Sequence, residues 1–561
     1  MNKCLLIVLL VAAAVAPGVE AAGTRYFLKA DFDAECDGAV NDHDEIQTAL
    51  NTIKNGDILE FPAGETCFTR TILKINGGTG FVIEGNGATL LSSIGEGGLI
   101  IKHSNGFEIR DLTFDGNRDL DCSQTPIPDG CACVDCLDDN LIIRGSTPVG
   151  VTPQDPRPPS LLTRVRGVNS ARDGIHIKGY SMDLGGNIDP TENISLVDCD
   201  ALDNSRNGLT IAEARNARVV GGLFARSGDD LPGAGIDIES ELDQLDRDIE
   251  VTGATLSDNF GNGIQITQGV IPGAVVEQVR VIDNEFFNNQ RGAIRNRATQ
   301  VTIAGNRFHD FSFSSGVTQE ATITLFEQSQ DILIAGNSLS DIETGLPVVW
   351  VENKAERVEV SHNLFDTINT ISGTGAAVQM DAVGGLVAQN QFMRIATGAA
   401  TGPAVFFETT AADGAIVGNE FFDIGPRALW TTSPRALISD NVFECGRKNV
   451  IWAAGEDSLI EGNVLGPLAE AGSSTAADSV IRYRKSGGLV AGNSLTCIDA
   501  TPSVQRGLLL DLHPTAVLDN SVAGCDPNKQ IQYLAGLDPL LTVDRGNTTS
   551  GVGSAQCDPN L

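Results

Sequence analysis

The chain has 561 residues and a formal net charge of −35, from 73 acidic and 38 basic residues. A surface this acidic repels nucleic acid and anionic membranes, so we expect neither as a partner. It would also repel an acidic polysaccharide, unless the binding groove is locally basic.

The first predicted element is an export signal over residues 1–21. Lys3 precedes an apolar stretch at residues 4–15, and small residues up to Ala21 form a cleavage site. This stretch is too short to span a membrane, and no other apolar run approaches the ~18 residues that a span needs. We therefore expect a secreted protein, either extracellular or periplasmic.

Residues 22–70 are predicted to form an N-terminal cap that contains one amphipathic helix. Ile46, Leu50 and Ile53 make its apolar stripe, and Gly56 is a plausible stop. A helix of this kind can cover the open end of a repeat array and block edge-to-edge association.

Two irregular segments follow the cap. The first holds a cluster of cysteines. The export signal favours a disulfide-stapled loop there, and the lack of a nearby histidine speaks against a zinc site. Cys4 lies in the signal, so an odd number of the 12 cysteines remains and one thiol is left over. The second segment, residues 148–160, is proline-rich and is predicted to leave an early coil. The clustered cysteines are Cys122, Cys131, Cys133 and Cys136.

An internal repeat is the strongest signal in the sequence. A short strand, an asparagine and a second apolar strand recur, as in VTIAGNRFHDF and ILIAGNSLSDI, with 22 to 31 residues between successive asparagines. That period matches one coil of a parallel β-solenoid, in which asparagines at a bend can stack and bond the backbone. The repeating asparagines are Asn284, Asn306, Asn337, Asn363, Asn390, Asn419, Asn441, Asn463 and Asn493.

A further strand recurs in each repeat, as in GIHIKG, GLTIAE and GIDIES. Each coil therefore has about three strands, and the strict alternation of apolar residues favours strands over helices. The pattern predicts an all-β solenoid over residues 71–535, followed by a C-terminal tail at residues 536–561.

The cap and the repeat together resemble a known group of proteins. The stretch DGAVNDHDEIQTAL…GDILEFPAGE is similar to the N-terminal segment of phage tailspikes, some polygalacturonase relatives and alginate epimerases. Nearly all of the mature chain resembles the pectate-lyase-like right-handed parallel β-helix superfamily. The resemblance implies that fold, with a site on an outward sheet face. Members are mostly lyases, hydrolases or epimerases of polysaccharides.

No catalytic fingerprint of these families is present in full. The WIDH of pectate lyases, the Asn-Thr-Asp, Gly-His-Gly and Arg-Ile-Lys set of polygalacturonases and the Asp-Pro-His of alginate epimerases are all absent. The site must therefore be sought in the repeat itself. Aligning the GIDIES-type strand by its inward aliphatic residues predicts one mixed-charge outward face, with Asn296 turned inward. The outward residues in coil order are His176, Lys178, Asp237, Glu239, Gln265, Arg295 and Arg297.

Asp237 and Glu239 allow two kinds of chemistry. Residues i and i+2 of a strand lie about 6.6 Å apart, which is near the roughly 6.5–9.5 Å spacing of inverting glycosidase carboxylates. Alternatively, both carboxylates ligate calcium, which binds a uronate carboxylate and acidifies its α-proton. Lys178, Arg295 or His176 would then remove that proton, and β-elimination would follow. The chondroitinase B and alginate lyase group looks similar, with two carboxylates at i and i+2.

The clustered bases favour a lyase that acts on an acidic, uronate-containing polysaccharide. In this interpretation Arg297, Gln265 and Trp350 bind the substrate. Two alternatives stay open: an inverting glycoside hydrolase that uses Asp237 and Glu239, and a non-catalytic surface or adhesion solenoid. The sequence leaves the oligomeric state open.

Overall fold

The computed structural model describes residues 23–550 apart from 94–96, 119–138, 148–156, 182–187, 229, 241–244, 269–273, 313–319, 371–374, 398–401, 426, 445–449, 469–478, 498–505, 512–515, 524–530, 534–542 and 546. The predicted export signal, the cysteine cluster, most of the proline-rich segment and much of the C-terminal tail lie outside the described residues. The clustered cysteines in question are Cys122, Cys131, Cys133 and Cys136.

Parallel strands stack coil upon coil into a right-handed parallel β-helix, so the predicted fold is confirmed. Three sheets run along the helix, and a typical coil visits each sheet once. The first sheet carries the GIDIES-type strands. Its strands are Leu73–Asn76, Leu99–Lys102, Leu141–Arg144, Ile175–Lys178, Leu209–Ala212, Ile236–Ser240, Asn262–Gln268, Gly292–Asn296, Ile323–Leu325, Val349–Val351, Val378–Met380, Val405–Phe407, Leu429–Thr431, Ile451–Ala453, Ser479–Tyr483, Arg506–Leu510 and Ile531–Tyr533.

The second sheet follows the first in each coil. Its strands are Arg25–Phe27, Ile58–Glu60, Val82–Ser92, Glu108–Asp115, Ser160–Thr163, Thr191–Val197, Ala214–Val220, Leu245–Thr252, Val275–Ile282, Thr299–Ala304, Gln330–Ala335, Glu356–Ser361, Leu386–Ala388, Ala415–Val417, Leu437–Ser439, Leu459–Glu461, Leu489–Ala491, Ala516–Leu518 and Val543–Arg545.

The third sheet completes each coil, and Val82–Ser92 and Glu108–Asp115 run through both the second and third sheets. A short hairpin pairs Tyr180–Ser181 with Ile188–Asp189. The other strands of the third sheet are Asp37–Asn41, Thr66–Thr69, Arg166–Val168, Asp200–Leu202, Leu223–Ala225, Thr255–Ser257, Glu285–Phe287, Arg307–Ser312, Ser338–Thr344, Leu364–Thr370, Gln391–Thr397, Glu420–Ile424, Val442–Glu444, Val464–Leu468, Ser494–Cys497, Ser521–Ala523 and Thr548–Ser550.

The predicted asparagine column forms at the bend between the second and third sheets. Asn284 shows the pattern: its Nδ2 donates to the Val251 carbonyl at 2.9 Å, and its backbone N–H donates to Asn306 Oδ1 at 2.9 Å. The same contacts continue from coil to coil as far as Asn493, and the structure extends the column to Asn520 and Asn547. The prediction of one stacked internal column is confirmed.

The residue before each asparagine from Asn284 to Asn520 explains why these bends read as Gly-Asn, Asp-Asn or His-Asn and once, at Gln389, as Gln-Asn. This residue takes a left-handed backbone conformation, with φ of 55° at Asp283, 67° at Gly305 and 57° at His362. Glycine enters that region freely, and Asp, Asn and His enter it more readily than other residues. The bend sequence therefore reflects backbone geometry.

The core consists of stacked columns of like residues. Phe365, Phe392, Phe421 and Phe443 lie in successive coils of the third sheet, and their ring centroids are 4.8, 4.8 and 4.7 Å apart. These distances equal the spacing of neighbouring strands, about 4.7–4.9 Å, so the rings stack with the same period as the backbone. Offset or parallel stacking adds to the burial of their apolar area.

The cap contains the predicted helix at His43–Thr52 and a short additional helix at Leu28–Phe32. Ile46 and Leu50 are buried, as the stripe predicts. Gln47 faces the first strand of the first sheet, where its side chain donates to the Lys74 carbonyl at 2.8 Å and accepts from the Lys74 N–H at 2.9 Å. The helix thus satisfies the backbone of an open sheet edge.

A disulfide joins Cys36 to Cys67 within this cap region. Cys199 is a free, buried thiol, and burial raises its pKa to about 12.

Neither helix in the described part of the chain has the length and apolar character needed to cross a bilayer.

Replacing one ladder asparagine should destabilise the coils around it. In Asn390→Ala, the Val360 carbonyl and the Asn363 N–H lose their partners inside the protein. Each buried polar group left unpaired costs roughly 1–3 kcal/mol. We expect a lower melting temperature and faster hydrogen exchange at the Asn363 amide.

The control for this variant is Gln391→Ala, which changes the neighbouring residue on the exposed side of the same coil. It should leave the melting temperature nearly unchanged, since exposed substitutions usually stay within about 0.5 kcal/mol. Equal effects of the two variants would contradict the stabilising role of the ladder.

Candidate active site

The first sheet aligns the predicted site residues in one column of successive strands. Asp237 pairs with Thr210 on one side and with Gln265 on the other, so the register predicted from sequence is confirmed. At about 4.8 Å per strand, four steps along this column span about 19 Å. The column runs His176, Thr210, Asp237, Gln265 and Arg295.

The expected inward turn of Asn296 is also confirmed. Asn296 is fully buried, and its Nδ2 donates to the Ala298 carbonyl at 3.2 Å and to the Ser329 hydroxyl oxygen at 3.0 Å. Because these bonds satisfy the amide inside the coil, Arg295 and Arg297 can both face outward.

Three predicted site residues are not on the surface. Sequence reasoning treats every outward residue as solvent-facing, which is wrong for His176, Asp237 and Gln265, whose exposed fractions are 2%, 0% and 8%. Lys178, Glu239 and Arg295 are partly exposed. These last three residues form the accessible edge of the cluster, and the three buried residues lie beneath it.

His176 is held by a carboxylate. Its Nδ1 lies 2.7 Å from Asp139 Oδ2, and a carboxylate partner assigns the proton to Nδ1 in the neutral ring. Nε2 is buried and has no hydrogen-bond partner among the described residues. A histidine that is oriented by a carboxylate and whose second nitrogen makes no hydrogen bond to the described residues has the arrangement of a general base.

Asp173 lies beside this pair and is neutralised by Arg206. The guanidinium donates from Nε to Oδ1 at 2.8 Å and from Nη2 to Oδ2 at 2.5 Å, a bidentate ion pair. Burial opposes ionisation of Asp173, but the charge and hydrogen bonds of Arg206 outweigh it and lower the pKa of the carboxyl. Asp173 is therefore a fixed anion.

Asp237 has the opposite electrostatic setting. Its Oδ2 accepts from Asn207 Nδ2 and its Oδ1 accepts from Gln265 Nε2, each at 3.2 Å. Burial raises the pKa of Asp237 well above its ordinary value, and the negative charge of Glu239 raises it further. Asp237 thus retains a proton to higher pH than an ordinary aspartate and is suited to act as a proton donor.

Sequence reasoning missed part of this cluster. Asp139, Asp173 and Asn207 each lie two residues before the first inward aliphatic residue of a strand, in DDNLII, RDGIHI and RNGLTI. The alignment covered the strands alone, so it omitted the turn residues that stack beside them. A second alignment of the position before each strand would have found them, and Arg206 with them.

Two guanidinium groups close the far end of the cluster. The guanidinium carbons of Arg295 and Arg297 lie 4.8 and 4.7 Å from the centroid of the Phe326 ring. Arg295 also pairs with Glu320 at 3.2 Å, and burial lowers the pKa of its guanidinium. Two guanidinium groups over one aromatic ring suit the binding of a carboxylate or sulfate group.

Trp350 lies two strands beyond Arg295 in the same column, with Thr324 between them. Its indole Nε1 donates to Asp381 Oδ2 at 3.2 Å. This position is next to the cluster, and the predicted role of Trp350 in substrate binding stays a prediction.

Asp237 and Glu239 supply only part of a calcium ligand set. Calcium takes about six to eight oxygen ligands, and each Asp237 oxygen already accepts one amide N–H. Among the described residues, one possible ligand cluster contains the cap disulfide, and the other consists of Asp139, Asp173 and His176. Arg206 already neutralises Asp173 in that second cluster. Calcium dependence stays a prediction, and no step below uses the ion.

Comparison with known proteins agrees with this architecture. The family model described as the right handed beta helix region matches residues 166–308, which contain the whole site column from His176 to Arg295. This match covers part of the chain and agrees with the observed right-handed parallel β-helix. No curated protein matches the chain by sequence.

Solved structures similar to this chain include an epimerase module, an adhesin and an exopolygalacturonase. The A-module of a mannuronan C-5 epimerase from Azotobacter vinelandii is 17% identical, with a TM-score of 0.51, covering 75% of this chain and 99% of that one. The surface adhesin PfbA of Streptococcus pneumoniae is 13% identical, with a TM-score of 0.38, covering 75% of this chain and 89% of that one. An exopolygalacturonase of Thermotoga maritima is 12% identical, with a TM-score of 0.35, covering 74% of this chain and 91% of that one. At such identities the likeness shows the fold alone.

The pH dependence of stability should change in Asp237→Asn. Because the folded-state pKa of Asp237 is raised, the folded β-helix binds a proton that the unfolded chain releases, and stability falls as pH rises through the folded pKa. The carboxamide cannot titrate. The melting temperature of this variant should therefore fall less than that of the parent above about pH 4.

In Asp173→Asn, the pH dependence of stability should change in the opposite direction. The lowered pKa of Asp173 contributes stability above its ordinary pKa, and this contribution is lost as pH falls through the folded pKa. This variant should be destabilised most at neutral pH and approach the parent in acid. Melting curves at a series of pH values test both variants, and parallel pH profiles for all three proteins would contradict the electrostatic assignment.

Proposed function

We propose that the chain is a secreted polysaccharide-active enzyme, and specifically a lyase that cleaves a uronate-containing polysaccharide by β-elimination. The observation that carries this proposal is the column itself. Within adjacent coils it combines a carboxylate-oriented histidine, a carboxyl group with a raised pKa and a partly exposed edge that carries cations. Secretion rests on the predicted export signal at residues 1–21.

β-Elimination from a uronate needs three groups. A cation must neutralise the uronate carboxylate, so that the carbon next to it can lose a proton. A base must take that proton, and an acid must protonate the oxygen that leaves. The C–H electron pair then forms the new carbon–carbon double bond while the glycosidic carbon–oxygen bond breaks.

The cluster offers a candidate for each of these tasks. In this proposal Lys178, on the same strand as His176, binds the uronate carboxylate at the exposed edge, and Arg295 binds an acidic group of a neighbouring sugar unit. Nε2 of His176 takes the α-proton, since Asp139 holds the ring and Nε2 has no hydrogen-bond partner among the described residues. Asp237 donates its proton to the leaving oxygen, and the substrate enters past Lys178 and Arg295 because that side is partly exposed.

The local charge favours an acidic substrate. The whole chain has a net charge of −35, yet three partly exposed cations, Lys178, Arg295 and Arg297, lie along one sheet. Arg206 pairs with Asp173 and Arg295 with Glu320, so the cluster as a whole is mixed in charge. An exposed cationic edge is what an acidic chain needs in order to attract a polyanion. A hydrolase of neutral glycans has less use for it.

An inverting glycoside hydrolase is the second candidate, and the Asp237–Glu239 pair is the observation that favours it. The two residues lie on one strand with a nominal separation of about 6.6 Å, close to the roughly 6.5–9.5 Å used by inverting enzymes. Glu239 raises the pKa of Asp237. That is the division expected when one carboxyl group acts as acid and the other as base.

The activity can be tested with a panel of uronate, sulfated and neutral polysaccharides. Purified protein is incubated with each, and ultraviolet absorbance of unsaturated products is followed in parallel with new reducing ends. Both signals together support the lyase. Reducing ends without the unsaturated chromophore would identify a hydrolase, and no cleavage of any polymer would favour the non-catalytic surface or adhesion solenoid.

Site variants should separate chemistry from folding. We expect His176→Ala and Asp237→Asn to lower turnover of the identified substrate by about 10²–10⁴-fold, as removal of a general acid or base does. Arg295→Ala should raise KM, because it removes a carboxylate partner. The control is Arg215→Ala, on the second sheet and paired with Glu192, which should keep normal turnover. Normal rates in both acid–base variants, with unchanged melting, would place the site elsewhere.

Calcium dependence is a separate expectation. If Asp237 and Glu239 hold calcium, EDTA abolishes cleavage and added calcium restores it. The hydrogen bonds of Asp237 predict the opposite, namely full activity in EDTA. Loss of activity in EDTA with recovery on adding calcium would restore the calcium role of these two residues.

A further inference from the structure

A row of cations lies on the first sheet, on the N-terminal side of the candidate active site. Arg144 is the strand partner of Lys102 on one side and of Lys178 on the other. The row thus occupies the same position in three successive strands, which lie about 4.8 Å apart. All three side chains are partly exposed. We call Lys102 and Arg144 the basic ladder, and it leads up to Lys178 at the accessible edge of the cluster.

The basic ladder makes no ion pair with the described part of the chain. The guanidinium group of Arg144 also makes no hydrogen bond to those residues, although its Nε is buried. Arginines in other rows of this β-helix pair with an aspartate of a neighbouring coil, as Arg164 does with Asp111 and Arg226 with Asp203. A buried N–H without an acceptor is rare in folded proteins. The ladder therefore presents donors and positive charge that the described residues do not use.

The carboxylate that lies beside the ladder is already occupied. Asp189 accepts from the backbone N–H of Thr147, in the turn that follows Arg144. It also accepts from the Thr147 hydroxyl group at 2.6 Å and from Arg157 Nη1 at 3.0 Å. Because Asp189 is buried and makes its ion pair with Arg157, it is not the partner of either ladder cation.

An aromatic ring holds the two ladder cations without neutralising them. The guanidinium carbon of Arg144 lies 5.3 Å from the ring centroid of Tyr180, and Nζ of Lys102 lies 5.8 Å from it. The ring of His103 packs against Tyr180 with an interplanar angle of 71° and a centroid distance of 4.4 Å. A cation–π contact positions a cation, but the tyrosine ring carries no net charge. The ladder is thus held in place as a pair of cations.

The ladder cations repel each other. Burial lowers the pKa of Lys102, and the positive charges of Arg144 and Lys74 lower it further. An anion along the row would reduce this repulsion and favour the charged form of the lysine. The electrostatics of the row therefore suit a ligand that carries several negative charges in line.

Cations flank the acid–base residues at both ends of the cluster. The strand that carries Lys102 lies six steps along the first sheet from the strand that carries Arg295, which is about 29 Å at about 4.8 Å per strand. His176 and Asp237 lie between these two ends. A polyuronate carries one carboxylate on each sugar unit, so one extended chain can reach both ends.

We propose that the basic ladder is a binding subsite for an acidic polysaccharide, in which Lys102 and Arg144 bind the acidic groups of the sugar units next to the unit held by Lys178. The bound polysaccharide then runs along the axis of the β-helix, from the ladder towards Arg295. The choice of an acidic polysaccharide rests on the proposed function, but binding at the ladder requires no catalysis.

Affinity electrophoresis tests this subsite without using activity. Lys102→Gln and Arg144→Gln are each combined with His176→Ala, so that the polymer stays intact, and are run beside His176→Ala alone and the parent. The native gels contain alginate, polygalacturonate or neutral dextran. We expect at least one acidic polymer to retard His176→Ala, while dextran does not. Each ladder variant should bind that polymer about three- to fivefold more weakly, as loss of one partly exposed charge contact does.

The matched control is Arg218→Gln in the same His176→Ala background. It removes the same unit of charge from an exposed position on the second sheet, so it should be retarded like His176→Ala alone. Neither ladder variant removes an ion pair with a described residue, and both should melt close to the temperature of their background protein. Added salt should reduce the difference between the ladder variants and the control, because it screens exposed charges.

Three outcomes would overturn the proposal: no retardation of His176→Ala by either acidic polymer, equal retardation of the ladder variants and Arg218→Gln, and retardation by dextran as strong as by the acidic polymers. The fate of the proposed lyase is read separately, from cleavage by the parent. If the parent cleaves no polymer but the ladder variants lose retardation, the lyase fails and the subsite stands. If the parent cleaves an acidic polymer that the ladder variants bind normally, the lyase stands and the subsite fails.

Discussion

The asparagine column is the constraint on which the rest of the structure depends. A parallel stack of short strands can slip by a residue, and such a slip would turn every inward aliphatic residue outward. Each ladder asparagine donates to a carbonyl in one neighbouring coil and to the asparagine of the other, as Asn390 does with Val360 and Asn419. These bonds are buried and leave few alternatives, so they fix the register of each coil against the next.

A fixed register turns sequence positions about one coil apart into spatial neighbours. That is how His176, Thr210 and Asp237, each about 30 residues from the next, come to lie in adjacent strands. The same register stacks phenylalanines in the core and places Trp430 against Trp452 on the outward face. In this β-helix, residues that lie side by side come from the same position of successive coils and not from one local sequence motif.

In the candidate active site, the pKa of each buried aspartate depends on whether a cation lies beside it. Asp173 and Asp237 are equally buried, yet the pKa of Asp173 is lowered and that of Asp237 is raised. Arg206 makes a two-point ion pair with Asp173, whereas Asp237 receives neutral amide donors and has Glu239 nearby. Two identical side chains thus differ in protonation, since Asp173 is a fixed anion and Asp237 retains its proton to higher pH; acid–base catalysis uses pairs of groups that differ in this way.

The sequence by itself determined the β-helix, the period of its coils, the helix of the cap and the register of the first sheet. These follow from local rules: alternation of aliphatic residues along a strand, a left-handed residue before each asparagine and a regular repeat. It also placed His176, Asp237 and Arg295 in one column, because partner positions in a repeat can be counted.

Only the tertiary structure decided which of these residues are buried and what each one touches. Asp139, Asp173 and Arg206 lie in the turns before the strands, so counting along the strands alone does not reveal them. Burial likewise depends on the sum of many neighbours and not on strand alternation, which is why Asp237 is an enclosed carboxyl group rather than a solvated one. Protonation follows burial and charge together, and both are properties of the folded chain.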